Sequence, residues 1–177
     1  CNNGNDGVSP NDTCSVSIIT QESNSVVLAQ TCSIPEGSFY LDLTTQSETT
    51  AEGNWQISFQ MLDVAFGETT YPMPSLVLNS DITGMAAAIY ENITFDNMEN
   101  VPSAFSTPPY EDALTDLTSV EYGGGNEIIG YDFQTHAADI NNSDAVLLIY
   151  YPTSHSTWKI QFSEYDSGII LFKFAEL

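Results

Sequence analysis

Few folds can accommodate the stretch from residue 145 to residue 174. Residues 145–151, AVLLIYY, form a continuous apolar run, of a length that suits a strand buried on both faces. The turn-forming residues PTSHST follow at 152–157. Trp158, Ile160 and Phe162 then alternate with Lys159, Gln161 and Ser163, the period of a half-buried strand. Asp166-Ser167-Gly168 turns the chain, and Ile170, Phe172 and Phe174 alternate into a last strand. The pattern predicts a three-stranded β-meander in the core sheet.

The same period recurs earlier. Residues 15–20 and 25–31 read as a hairpin, and residues 39–43 as a further strand. Residues 55–61 place Trp55, Ile57, Phe59 and Met61 on one face, with Trp55 expected as a core anchor. Strong helix patterns are scarce, so the expected fold is mainly β. It is a single domain of antiparallel sheets with a C-terminal meander and a loop-rich central segment at about 66–126. Within that segment, 71–75 reads as a rigid extended loop, and 84–90 as a short helix or a closely packed strand. Loops on a rigid scaffold are where binding sites concentrate.

The formal net charge is −22, with no arginine and lysine only at 159 and 173. Nucleic acid binding by counterion release is excluded by that scarcity of cations. The acidity reads as solubility in a salty or extracellular medium. There is no apolar run of membrane-spanning length.

Of three cysteines, Cys14 and Cys32 flank the first hairpin and are expected to pair in an oxidising compartment. Cys1 is the odd one. It precedes NNGNDGVSPND, and residues 1–13 read as a flexible tether, with the folded domain spanning 14–177. A cysteine at this place, followed by a polar tether, looks like a bacterial lipoprotein after signal-peptide removal. Cys1 would then be lipidated and anchor the domain to a membrane.

Catalytic signatures are weak, and an enzyme is not expected. No G-x-S-x-G elbow, H-E-x-x-H or C-x-x-C occurs, and the Gly123–Gly125 run is not followed by a phosphate-binding lysine. What remains is ligand binding in the central segment. Tyr71, Tyr90, Tyr110, Tyr122 and Tyr131 lie in or beside it, with Met73, Met85, Met98 and His136. Apolar walls with soft donors suit haem, whose iron takes His or Met ligands. His136 precedes the 145–151 strand and His155 follows it. A regular seven-residue strand spans about 23 Å, so both histidines are not expected at one iron. His136 is the expected ligand, and His155 is expected to be solvated in its turn.

Several segments carry a family resemblance: Cys1 with its tether, FYLDLTT at 39–45, NWQISF at 54–59, TFDNMENVP at 94–102, and GYDFQTH at 130–136 leading into the meander that ends FKFAEL. In this order the chain resembles the HmuY-like haem-binding lipoproteins of Bacteroidetes bacteria. The resemblance implies a mostly β domain, lipid-anchored at the outer membrane and facing outward. Such a domain captures haem and hands it to an outer-membrane transporter. It also implies His136 as axial ligand and metal donor, with Met98 or Met85 as its partner. The chain departs from the family at Gln56, at the 153–157 turn, and in having no arginine to meet haem propionates. The alternative is a surface lipoprotein that binds carbohydrate or protein without haem.

Overall fold

The computed structural model describes residues 18–21, 25–114, 119–120, 129–132 and 134–177. Thirteen strands are described, in two larger sheets and one small hairpin.

The first hairpin is β1 (Ile18–Gln21) and β2 (Val27–Gln30), paired antiparallel. A 3-10 turn at Ile34–Glu36 leads to β3 (Phe39–Asp42) and the short β4 (Ser47–Thr49). The long strands β5 (Ile57–Phe66) and β6 (Thr69–Leu78) follow, then β7 (Ala86–Tyr90). A one-turn helix, α1 (Ser103–Ser106), precedes β8 (Ser119–Val120). The hairpin β9 (Ile129–Asp132) and β10 (Ala137–Ile140) leads into β11 (Val146–Tyr151), β12 (Ser156–Asp166) and β13 (Ile169–Glu176).

One sheet has the order β1-β2-β13-β12-β11-β7, and the other β4-β3-β5-β6-β8. The C-terminal meander therefore sits at the centre of the six-stranded sheet, as its continuous apolar pattern predicts. Between the sheets, Phe39, Leu41, Ile57 and Phe59 meet Ile160, Phe162, Phe172 and Phe174, all buried. Aromatic edges interlock here, with the Phe59 and Phe172 ring centroids 5.2 Å apart.

Successive side chains of a strand point to opposite faces, and the six-stranded sheet uses both. Leu147 and Ile149 enter the core between the sheets, while Val146 and Leu148 join a second cluster on the outer face. That second cluster contains Phe95, Met98 and Phe105, all from the 91–114 connection. A sheet covered on both faces is why the 145–151 run is apolar without interruption.

Several expectations are corrected. The strand expected at 55–61 runs on to Phe66, because β5 and β6 form a ten-residue ladder around a Gly67-Glu68 turn, with Gly67 at φ +66. Residues 71–75 are part of β6 rather than a loop. Pro72 and Pro74 are tolerated because, among the described residues, β8 reaches only Leu76 and Val77 of β6. An edge without a ladder loses nothing to a proline. Of the two readings for residues 84–90, the structure shows the strand, β7. Trp55 is half-buried just ahead of β5, with its indole N–H donating to the Ala51 carbonyl at 3.1 Å. The buried tryptophan is Trp158. Gln56, on the face opposite Ile57 and Phe59, is fully buried, and its Oε1 accepts the Leu43 N–H at 2.7 Å.

Cys32 is disulfide-bonded. Cys1 and Cys14, the lipidation and disulfide candidates, lie outside the described residues, as do the tether at 1–13 and Tyr122.

Candidate functional site

A cavity of about 570 Å³ lies over the outer face of the six-stranded sheet, at its β7 end. Its floor comes from the start of β7 (Ala86), the end of β11 (Tyr150) and the start of β12 (Thr157). The 101–113 segment supplies the facing wall through Val101, Phe105, Tyr110 and Ala113. Gly84 and His155 complete the lining. This volume lies within the ~300–1,000 Å³ typical of small-molecule sites.

The wall is held by backbone hydrogen bonds. Asp112 N–H donates to the Ala104 carbonyl at 3.0 Å, Ala113 N–H to Tyr110 at 3.1 Å, and Leu114 N–H to Ala87 of β7 at 2.9 Å. The Tyr90 hydroxyl donates to Asp112 Oδ2 at 2.7 Å. Burial, together with the Asp112 hydrogen bond and charge, pushes the Tyr90 phenol well above its usual range. A phenol kept protonated keeps donating to Asp112. Tyr110 stands at the rim, 49 % exposed.

His155 is the one histidine in this cavity's lining. It ends the turn between β11 and β12 at φ 53, in the left-handed region that histidine enters more readily than most residues. Its Nδ1 lies 3.2 Å from the Tyr150 hydroxyl. Neither lysine lines the cavity. Both instead flank Phe95, with Lys159 Nζ 4.3 Å and Lys173 Nζ 4.6 Å from the ring centre.

The residues expected from sequence fall elsewhere. His136 is exposed in the β9–β10 turn, its Nδ1 2.9 Å from the Tyr131 hydroxyl. Ala138 and Ile140 of the same hairpin pack against the core between the sheets. Met98 is 1 % exposed in the cluster on the opposite, outer face. Its carbonyl accepts from Lys159 Nζ at 2.9 Å, and it borders a smaller cavity of about 400 Å³. Met85 is partly buried against the core between the sheets. The structure therefore places His136 in an exposed turn, Met98 in the buried cluster on the outer face of the six-stranded sheet, and Met85 against the core between the sheets.

The residue that sequence reasoning passed over is His155. Its turn was expected to be solvated, and its side chain is exposed, but the 101–113 segment folds over the sheet and makes that turn one side of a cavity. One signal was present: the spacing of Tyr150 to His155 repeats that of Tyr131 to His136.

As a site for haem, the cavity fits in part. Ala86, Val101, Phe105 and Ala113 give apolar walls for a planar ring, and His155 gives one nitrogen donor. No methionine sulfur lines it, and no cation is present to meet propionates, which would have to face solvent. Among the described residues, no group of three or more His, Cys, Asp and Glu side chains is arranged to hold a bare metal ion.

No family model matches the chain, and neither a curated protein nor a solved structure does.

Proposed function

We propose that this protein is a surface-displayed, ligand-binding lipoprotein rather than an enzyme. Its site is the cavity under residues 101–113, and its guest is a flat, largely apolar molecule of the haem class. One observation supports the reading above others: an apolar-walled cavity of about 570 Å³ whose lining includes a histidine. His155, not His136, is then the nitrogen donor, and Phe105 with Val101 would flank the ring. Lipidation at Cys1 would hold the domain at the outer membrane, facing outward. Transfer of the guest to an outer-membrane transporter would complete the role.

Titrating the purified domain with haemin and following absorbance tests this. The expected result is a Soret shift that His155→Ala abolishes and His136→Ala leaves intact. A shift that survives His155→Ala removes His155 from the site, and no shift in the unmodified protein removes haem. The second reading, a carbohydrate or protein ligand without iron, draws on the exposed Tyr110 at the rim, an aromatic surface on which a sugar or apolar side chain can stack. A Tyr110→Ala change would then weaken binding to a glycan array while His155→Ala would not.

A further inference from the structure

The two histidines of the chain occupy matching settings. Tyr131 precedes His136 by five residues, and Tyr150 precedes His155 by five. In both pairs the phenol oxygen lies within hydrogen-bond reach of Nδ1, at 2.9 and 3.2 Å. Both histidines adopt left-handed backbone, at φ 56 and 53, and each immediately precedes a strand. The surroundings differ. Tyr150 and His155 both line the 570 Å³ cavity, whereas His136 lines neither of the two cavities described above.

A neutral imidazole has one donor nitrogen and one acceptor nitrogen, and the partner of one decides what the other presents. The Nε2 atom of His155 has no hydrogen bond among the described residues. If Nδ1–H donates to the phenol oxygen, Nε2 carries a lone pair. If the phenol donates to Nδ1, Nε2 carries a proton and cannot bind an electron-pair acceptor. The turn's left-handed backbone and the phenol contact together restrict an exposed ring that would otherwise sample several rotamers.

We propose that Tyr150 is a positioning residue for His155: it accepts a hydrogen bond from Nδ1–H, and so presents the Nε2 lone pair to an electron-pair acceptor bound in the cavity. The acceptor class is the metal centre of a planar complex, not a ligand that offers only carbonyl or hydroxyl oxygen. This inference rests on the reading of the cavity as the ligand site.

The test uses the whole domain, haemin as probe, and nitrogen-15 spectra of the imidazoles in the unmodified protein, Tyr150→Phe and Tyr131→Phe. The expected result is His155 in the Nδ1-protonated tautomer, the minor form of a free histidine in water. Tyr150→Phe should shift the His155 signals toward the Nε2-protonated form and leave those of His136 in place. It should also weaken haemin binding by about 10-fold or more, the usual cost of losing the group that orients a metal-bound histidine, with the absorption maximum unchanged. Tyr131→Phe should move only the His136 signals and leave haemin affinity unaltered. An Nε2-protonated His155 in the unmodified protein overturns the proposal, as does Tyr150→Phe with unchanged signals and affinity. Loss of the normal absorption maximum in Tyr150→Phe also overturns it, because the phenol itself would then be the ligand. Should the unmodified protein take no haemin while the His155 signals still respond to Tyr150→Phe, the haem-class reading fails and the positioning role stands.

Discussion

Replacing Lys159 with methionine is the sharpest test of how the 95–98 segment is held against the outer face of the six-stranded sheet. Lys159 is 9 % exposed, and its ammonium donates to the Phe95 carbonyl at 2.6 Å and the Met98 carbonyl at 2.9 Å. It also sits 4.3 Å from the Phe95 ring centre. Methionine keeps the aliphatic volume but removes both donors and the cation. Hydrogen bonds to a charged group contribute about 1.5–3 kcal/mol each, and a partly desolvated cation over an aromatic ring about 1–2 kcal/mol. Burying an ammonium costs part of this back, so the net loss should be about 3 kcal/mol. For a domain of this size that lowers Tm by roughly 6–12 °C.

Urea unfolding followed by tryptophan fluorescence and by circular dichroism measures the loss. Lys173→Met is the internal comparison, since among the described contacts Lys173 offers only its approach to the Phe95 ring at 4.6 Å; it should cost under about 1 kcal/mol. The pH dependence gives a second readout. Burial lowers the Lys159 pKa below its usual 10.5, with Asp96 and Glu99 opposing that shift and Lys173 adding to it. Between the lowered folded value and 10.5 the unfolded chain binds more protons than the folded one, so stability should rise with pH in that window. The rise should be absent in Lys159→Met. If Lys159→Met unfolds within about 0.5 kcal/mol of the unmodified protein, or if Lys173→Met costs as much, the lysine does not pin the 95–98 segment and this reasoning fails.

Three further outcomes follow from the same geometry. Gly168→Ala should destabilise by about 1–3 kcal/mol from backbone strain alone, because Gly168 sits at φ +82 and an added Cβ would lie 2.6 Å from both Pro35 Cδ and Ser33 Oγ; thermal melts check it. Burial raises the Asp42 pKa, but hydrogen bonds from Thr44, Asn54 and the Thr44 and Thr45 amides outweigh it and leave the pKa below 3.8. Its contribution is therefore present above pH 3.8 and lost as pH falls through the lowered value, so Asp42→Ala should weaken the fold at neutral pH and flatten its acid unfolding curve. In an alkaline titration followed at the tyrosinate absorbance, Tyr90 and Tyr165 should ionise late, above the usual range of a phenol. Burial raises both phenols, and Asp112 adds to the shift at Tyr90; Tyr90→Phe should remove amplitude from the late phase only.

Much of the scaffold is legible in the sequence because a strand is a local pattern. The alternation of Trp158, Ile160 and Phe162, and of Ile170, Phe172 and Phe174, placed β12 and β13 without reference to any other residue. The continuous 145–151 run marked a strand covered on both faces, and so it is. Legibility fell where a distant partner decides the outcome. Pro72 and Pro74 read as a loop because nothing nearby shows that, among the described residues, β8 pairs with β6 only at Leu76 and Val77. Trp55 read as core because alternation cannot say where a strand begins. The burial of Lys159 could not be read from its place among the polar positions of β12, because its partners, the carbonyls of Phe95 and Met98, are more than 60 residues away.

The candidate site divides the same way. Residue chemistry alone supplied a mainly β frame and only two histidines to consider. Choosing between those histidines required knowing which turn the 101–113 segment covers, and that depends on Phe105 and its neighbours packing across the outer face of the sheet. Periodicity records which side of a strand is apolar, but not which remote segment buries it. That long-range choice, made by the burial of apolar surface between segments far apart in sequence, put a cavity at His155 and left His136 in solvent.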